Sequence, residues 1–271
     1  MQARSQQLLL VAGASALTIA LYLAPQKVNK EKEQTSVQVT DFDALLNRSK
    51  AGLQRQEADL ISSMEAKIEK EDGNLSLLDS LGRRWDALQK PGIAAHYFEE
   101  HAEKDNEESS WLNAAYRYFD AFRLTTDSAE KSIMVEHAIR CYENVLKKNP
   151  NNLNAKTDLG ICYAEGTSNP MQGIMMLREV VTENPEHENA QFNLGVLSMR
   201  SGQYEKAVER FQKVLSINPS RKEMYLLTGR AYMMAGNKAK AAENFEKLKK
   251  ESADAALVAE ANNYINQLTN H

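Results

Sequence analysis

Five histidines, two cysteines and 37 carboxylates are the residues of this 271-residue chain able to hold a metal or move a proton. Their spacing serves neither purpose. His96 and His101 lie five positions apart, which on a helix separates them by roughly 140° around the axis. His137, His187 and His271 have no carboxylate or thiol at a ligand-like interval. Cys141 and Cys162 are too few for a disulfide framework and sit in apolar helical patterns, where cysteine behaves as a small buried hydrophobe. The carboxylates mostly alternate with lysines, as in Glu243, Glu246, Lys247 and Lys250, the pattern of a solvated helix face. The sequence contains no glycine-rich phosphate loop, nucleophile elbow or zinc pair. It predicts no enzyme, no metal site and no cofactor.

The residues whose spacing is informative carry steric chemistry instead. Gly195 and Gly229 are 34 residues apart, and so are Gly202 and Gly236, Ala207 and Ala241, Phe211 and Phe245, and Pro185 and Pro219. Residue types repeating in step mark stacked copies of one supersecondary unit. A glycine and an alanine on facing helices let two backbones approach, Phe211 fills the volume beside them, and Pro219 stops its helix because it has no N–H to donate. Neither helix of such a unit can bury its apolar stripe alone, so the units must stack.

This order of Leu-Gly, a glycine turn, Ala, Phe and a closing Pro resembles the tetratricopeptide repeat. The pattern is strongest between Glu188 and Glu251. Leu153 to His187 is a looser copy, with Gly173 where the family has alanine and Leu177 where it has an aromatic. Leu81-Gly82, Trp85, Ala94 and Phe98 mark an earlier unit. The unit starting at Trp111 is about three helical turns too long before Ala138, Tyr142, Val145 and Pro150, which calls either for two extended helices or for a wider turn at 125–128.

The resemblance implies an all-α fold: a tetratricopeptide-type solenoid, a right-handed superhelix of about five helix pairs over residues 75–253, with a capping helix at 254–271. It also implies that the first helix of each pair lines a concave groove that holds a protein or peptide partner. The groove residues would be Phe192, Val196, Met199, Arg200, Leu226, Arg230, Met233 and Met234, with Thr157, Ile161, Ala164 and Glu165 on the matching face upstream. Methionine adapts to varied apolar partners. Some members of the family clamp a C-terminal carboxylate with Lys, Asn and Arg, and here only Arg200 and Arg230 stand on that face.

Ahead of the repeats, no residue between Arg4 and Lys27 is charged, and Leu8 to Leu23 is almost wholly apolar. A helix there just spans a hydrocarbon core of about 30 Å. Residues 1–26 are read as a retained single-pass anchor. A cleaved secretory signal, cut after Ala14-Ser15-Ala16, is the alternative. Residues 27–40 are polar and read as a flexible stem. Residues 41–72 form an amphipathic helix, with Thr40 or Asp41 as cap, Gly73 as stop and a stripe of Phe42, Leu46, Leu53, Leu60 and Met64. The stripe either docks on the first repeat or, through leucines spaced by seven, forms a coiled-coil seam.

The formal charge of −4 is mild and interspersed, which gives no pull toward nucleic acid. The resulting expectation is a membrane-tethered adaptor in a bacterial inner membrane, with the side of the repeats left open, acting in envelope assembly or biogenesis. The alternative is a homo-oligomeric scaffold organised through residues 41–72.

Overall fold

The computed structural model describes residues 42–71 and 74–269. The expected anchor and stem, and the caps read at Thr40, Asp41 and Gly73, lie outside the described residues. Among the described residues all regular structure is helical. None of these helices is long and apolar enough to cross a membrane.

Two helices come first, α1 (Phe42–Ala51) and α2 (Arg55–Lys70). Five antiparallel pairs follow: α3 (Leu75–Ala87) with α4 (Pro91–Asp105), α5 (Glu108–Leu124) with α6 (Ser128–Lys148), α7 (Leu153–Gly166) with α8 (Pro170–Glu183), α9 (Glu188–Arg200) with α10 (Tyr204–Ile217), and α11 (Glu223–Met234) with α12 (Lys238–Glu251). A single helix, α13 (Ala255–Thr269), closes the stack. The long second unit is resolved as two extended helices, of 17 and 21 residues.

Local chemistry sets these boundaries. The Asn74 side chain accepts from the N–H groups of Ser76 and Leu77, and Asp127 accepts from those of Ala129 and Glu130, so the first-turn donors of α3 and α6 are satisfied. Pro91 and Pro170 occupy first-turn positions, where a missing N–H costs nothing. The turns within pairs 4 and 5 pass through Gly202 (φ 73°) and Gly236 (φ 80°), conformations that glycine adopts without a Cβ penalty.

Within the pairs, the glycine–phenylalanine match is a physical contact. A Cβ added at Gly195 would lie 2.6 Å from the Phe211 ring, and the same holds for Gly82 against Phe98 at 2.7 Å and Gly229 against Phe245 at 2.5 Å. Phe211 and Phe245 are fully buried. Pair 3 reaches contact differently. A Cβ at Gly173 would stand 2.1 Å from the Gly160 carbonyl oxygen and 2.5 Å from the Ala164 nitrogen, so α7 and α8 touch backbone to backbone. Leu177 then suffices where the other pairs need an aromatic ring, and it is fully buried.

The expected single helix over 41–72 is broken at 52–54. Gly52 and Leu53 close tight turns onto the carbonyls of Ser49 and Lys50, and Gln54, in an extended conformation, starts α2. The break rotates the stripe. Leu46 and Leu53 pack against the core, Leu60 is 41% exposed, and Ile61, outside the stripe, is fully buried. The leucines therefore do not form one seam, and both helices dock on pairs 1 and 2. Phe42 stacks on His96 at 4.2 Å, the Tyr97 hydroxyl donates to Glu65 at 2.6 Å, and Arg84 forks onto the Glu57 carboxylate.

At the other end, Asn262, Asn263 and Asn266 stand 34 positions after Thr228, Gly229 and Tyr232. All three are exposed, so α13 presents polar groups where a further helix would otherwise pack.

The close approaches generate a ranking. Gly195→Ala should cost about 1–2 kcal/mol, because the Phe211 ring can shift and alanine favours the helix. Gly173→Ala should cost about 3 kcal/mol or more, because its methyl meets backbone that cannot move without separating α7 from α8. Urea titration of both variants checks this, and equal midpoints would contradict it.

Candidate functional site

The first helices form one face of the stack. Successive members touch directly: α5 on α7, α7 on α9, and α11 on α13. Side chains join them across this face. Arg117 of α5 donates to Asp86 of α3 at 2.6 Å, Arg200 of α9 pairs with Glu165 of α7 at 2.9 Å, and the Arg230 guanidinium of α11 lies 5.8 Å from the centre of the Tyr264 ring on α13.

Of the eight residues expected to line the groove, seven keep some open surface. Phe192, Val196 and Met199 are half-buried, packing on the core cluster that contains Phe211, and Arg221 lies over the Phe192 ring at 5.2 Å. Met233 packs partly on the next cluster, and Met234 is 55% exposed. Arg200 and Arg230 are engaged in the contacts just given, so neither is a free cation. Leu226 departs from the expectation. It is buried against Ala241, Phe245, Leu248 and Ala261, because α13 packs over α11 and covers it. Upstream, Thr157 and Ile161 are buried too, since α7 is flanked by first helices on both sides, while Ala164 and Glu165 keep partial exposure.

Two carboxylates that the repeat pattern does not mark shape the electrostatics. Glu99 of α4 is almost fully buried. Its Oε2 accepts from the Tyr118 hydroxyl at 2.8 Å and meets His137 Nδ1 at 2.7 Å, while Arg140 Nε donates to Oε1 at 2.8 Å. Burial raises the Glu99 pKa, but the His137 hydrogen bond and charge, the Arg140 charge and the Tyr118 hydroxyl outweigh it and hold the carboxyl at about 2. The network joins α4, α5 and α6, so it couples pair 1 to pair 2. Cys141 also faces Glu99, with Sγ at 3.4 Å from Oε1, and burial followed by the Glu99 charge raises its pKa, which keeps it a thiol. Nothing in the repeat pattern reveals Glu99, because it sits in an ordinary polar run of a helix whose carboxylates are normally solvated.

Asp158 of α7 is the opposite case. Its Oδ2 accepts from the Tyr142 hydroxyl at 3.2 Å. Burial, reinforced by the Asp120 charge, pushes its pKa up to about 6, despite the Tyr142 hydrogen bond and the pull of Arg123. Among the described residues no group of three or more His, Cys, Asp or Glu side chains could hold a metal ion. Cys141 and Cys162 are buried and unpaired.

Stacked helical hairpins whose first helices share one open face define a helical-repeat scaffold. Models described as tetratricopeptide repeat match residues 166–219 and 198–261, so the repeats in this part of the chain are of the tetratricopeptide type. A search of curated proteins finds no match to the sequence. Among solved structures, a tetratricopeptide repeat protein from Parabacteroides merdae is similar at TM-score 0.55 and 19% identity, covering 86% of each chain. MamA from Desulfovibrio magneticus is similar at TM-score 0.52 and 20% identity, over 65% of this chain and 93% of that one. YrrB, described as a tetratricopeptide repeat protein with an unusual peptide-binding site, is similar at TM-score 0.50 and 18% identity, over 74% of this chain and 97% of that one. At these identities the likeness is one of fold.

The two carboxylates give opposite pH responses. Glu99 has a folded pKa below its unfolded value of about 4.3, so it contributes stability above that value, on the order of 3 kcal/mol, which is lost as pH falls toward about 2. Asp158 has a folded pKa above its unfolded value of about 3.9, so its ionisation removes roughly 3 kcal/mol as pH rises from about 4 to about 6. Glu99→Gln should flatten the acid limb and lower stability at pH 7, and Asp158→Asn should raise stability at pH 8 but not at pH 4. Thermal melts across this pH range read both.

Proposed function

We propose that this protein is a membrane-tethered adaptor that holds a partner protein or peptide on the first-helix face of its repeats, in envelope assembly or biogenesis. One observation carries the reading: Val196, Met199, Met233 and Met234 keep apolar surface open on that face, while its neighbouring arginines are already engaged within the protein. The partner is therefore gripped mainly by apolar contact, and the polarizable methionines suit a partner whose side chains vary. A carboxylate clamp is not the mode of binding, because Arg200 already neutralises Glu165. The similarly folded YrrB, with its peptide-binding site, supports the same class of role.

The tether is the uncharged stretch from Leu8 to Leu23, in a bacterial inner membrane. Anchoring raises the local concentration of whatever the repeats hold, so modest affinity per site suffices.

A photo-crosslinking residue placed at Met234 in native membranes should give a discrete partner adduct, and the same residue at the exposed Glu246 should not. Labelling from both positions alike, or from neither, would reject the face assignment. The full chain should stay in the membrane pellet through alkaline carbonate and move to the supernatant when residues 1–26 are removed. Release of the full chain by carbonate would refute the tether.

A further inference from the structure

The apolar core of the stack divides at pair 4, where part of α9 packs back onto pair 3 while α10 belongs to the next cluster. Ile161, Leu177, Val180, Val181, Ala190 and Leu194 form a cluster of their own, separate from the one built on Ala207, Val208, Phe211 and Val214. At this joint a cleft of about 470 Å³ opens between α8, α9 and α10. It is lined by the second helices α8 and α10 and by Leu194, Leu197 and Ser198 of the first helix α9. Its apolar lining comes from Met171, Ile174, Val181, Leu194 and Leu197.

Met171 and Met175 are 55% and 57% exposed, among the most open large apolar side chains of the described residues. On α8 they fall one turn apart on one stripe, with Arg178 next, and a second hollow of about 480 Å³ flanks Met175 and Arg178 on the other side. The ridge therefore stands between two depressions, the relief into which a partner helix packs its own side chains.

The rim has a definite sign. Arg178, Lys206 and Arg210 line the cleft, and Glu209 is the one carboxylate among its described lining residues. Lys206 donates to Gln203 and Arg210 to Gln191, each at 2.7 Å, and none of the three cations makes an ion pair among the described residues. This contrasts with the first-helix face, where arginines are matched to carboxylates or an aromatic ring.

We propose that the α8 cleft is a second docking surface, for an acidic amphipathic protein segment that buries a bulky apolar side chain between Met171 and Leu197 and sets its carboxylates against Arg178, Lys206 and Arg210. Apolar lining supplies affinity, and the unmatched cations select against basic segments. The cleft lining includes none of Val196, Met199, Met233 and Met234, so the proposal stands whether or not the first-helix face binds a partner.

The test is selection of a displayed library of random linear peptides on the full-length chain in detergent, followed by binding of the enriched peptides to variants. One class should carry Asp or Glu beside a bulky apolar residue. That class should lose about tenfold or more in affinity to Arg178→Glu with Lys206→Glu, and to Met171→Asp, while Met234→Glu leaves it unchanged. The substituted side chains are exposed, so helical content and melting temperature should match those of the parent. The proposal is overturned if no enriched peptide is sensitive to the α8 and α10 substitutions, if the sensitive peptides lack acidic residues, or if Met234→Glu removes the same peptides. Light scattering that shows self-association lost in Met171→Asp would assign the surface to a second copy of the chain and likewise overturn it.

Discussion

The backbone of each first helix in pairs 1, 3, 4 and 5 comes so close to its partner helix that no side chain fits at the crossing. In pairs 1, 4 and 5 the space belongs to a phenylalanine ring, and in pair 3 to a carbonyl oxygen. Everything else in the stack follows from this contact. It fixes the angle of the hairpin, the hairpin fixes which stripe of each helix meets the next pair, and repetition turns these local angles into a shared face. The buried rings of Phe98, Phe211 and Phe245 then fill the interior at the crossing, where a smaller residue would leave a cavity.

Stacking creates two ends and several joints, and polar chemistry manages each of them. The C-terminal end is closed by asparagines on the outward face of α13, and the N-terminal end by α1 and α2 laid over pairs 1 and 2. The joint between pairs 1 and 2 contains a fully satisfied buried carboxylate, Glu99, with donors from two neighbouring helices. Such a network is stable only when every member is paired, so it also sets the register of the two pairs. The joint between pairs 3 and 4 is apolar, with Leu177, Val180 and Val181 packed against Ala190 and Leu194, and it has no such buried carboxylate among the described residues. That is where the surface opens into the α8 cleft.

Much of the fold was legible because its signal is steric and local. A glycine opposite a phenylalanine, a glycine at a positive-φ turn and a proline past a helix end each follow from the covalent structure of one residue type, and their repetition at 34 removes ambiguity. The candidate face was legible only in part. Helical spacing places Val196, Met199 and Met234 on first helices, and all three keep some open surface, but it cannot tell that α13 lies over Leu226 or that α7 is covered on both flanks at Thr157 and Ile161. The break at Gly52 was misjudged for a related reason. A lone glycine in a polar, weakly amphipathic run is tolerated in many helices, and only docking on pairs 1 and 2 selects the bent form that buries Ile61.

The sequence by itself determined the repeating unit, its all-helical character and the side chains at each crossing, because these depend on contacts within one hairpin. Tertiary structure alone decided which exposed-looking residues are covered, which arginines are already paired, that Glu99 is held ionised while Asp158 resists ionisation, and where a cleft opens beside α8. Those outcomes depend on neighbours far away in the chain. Burial and charge are properties of the assembled stack, and no single repeat carries them.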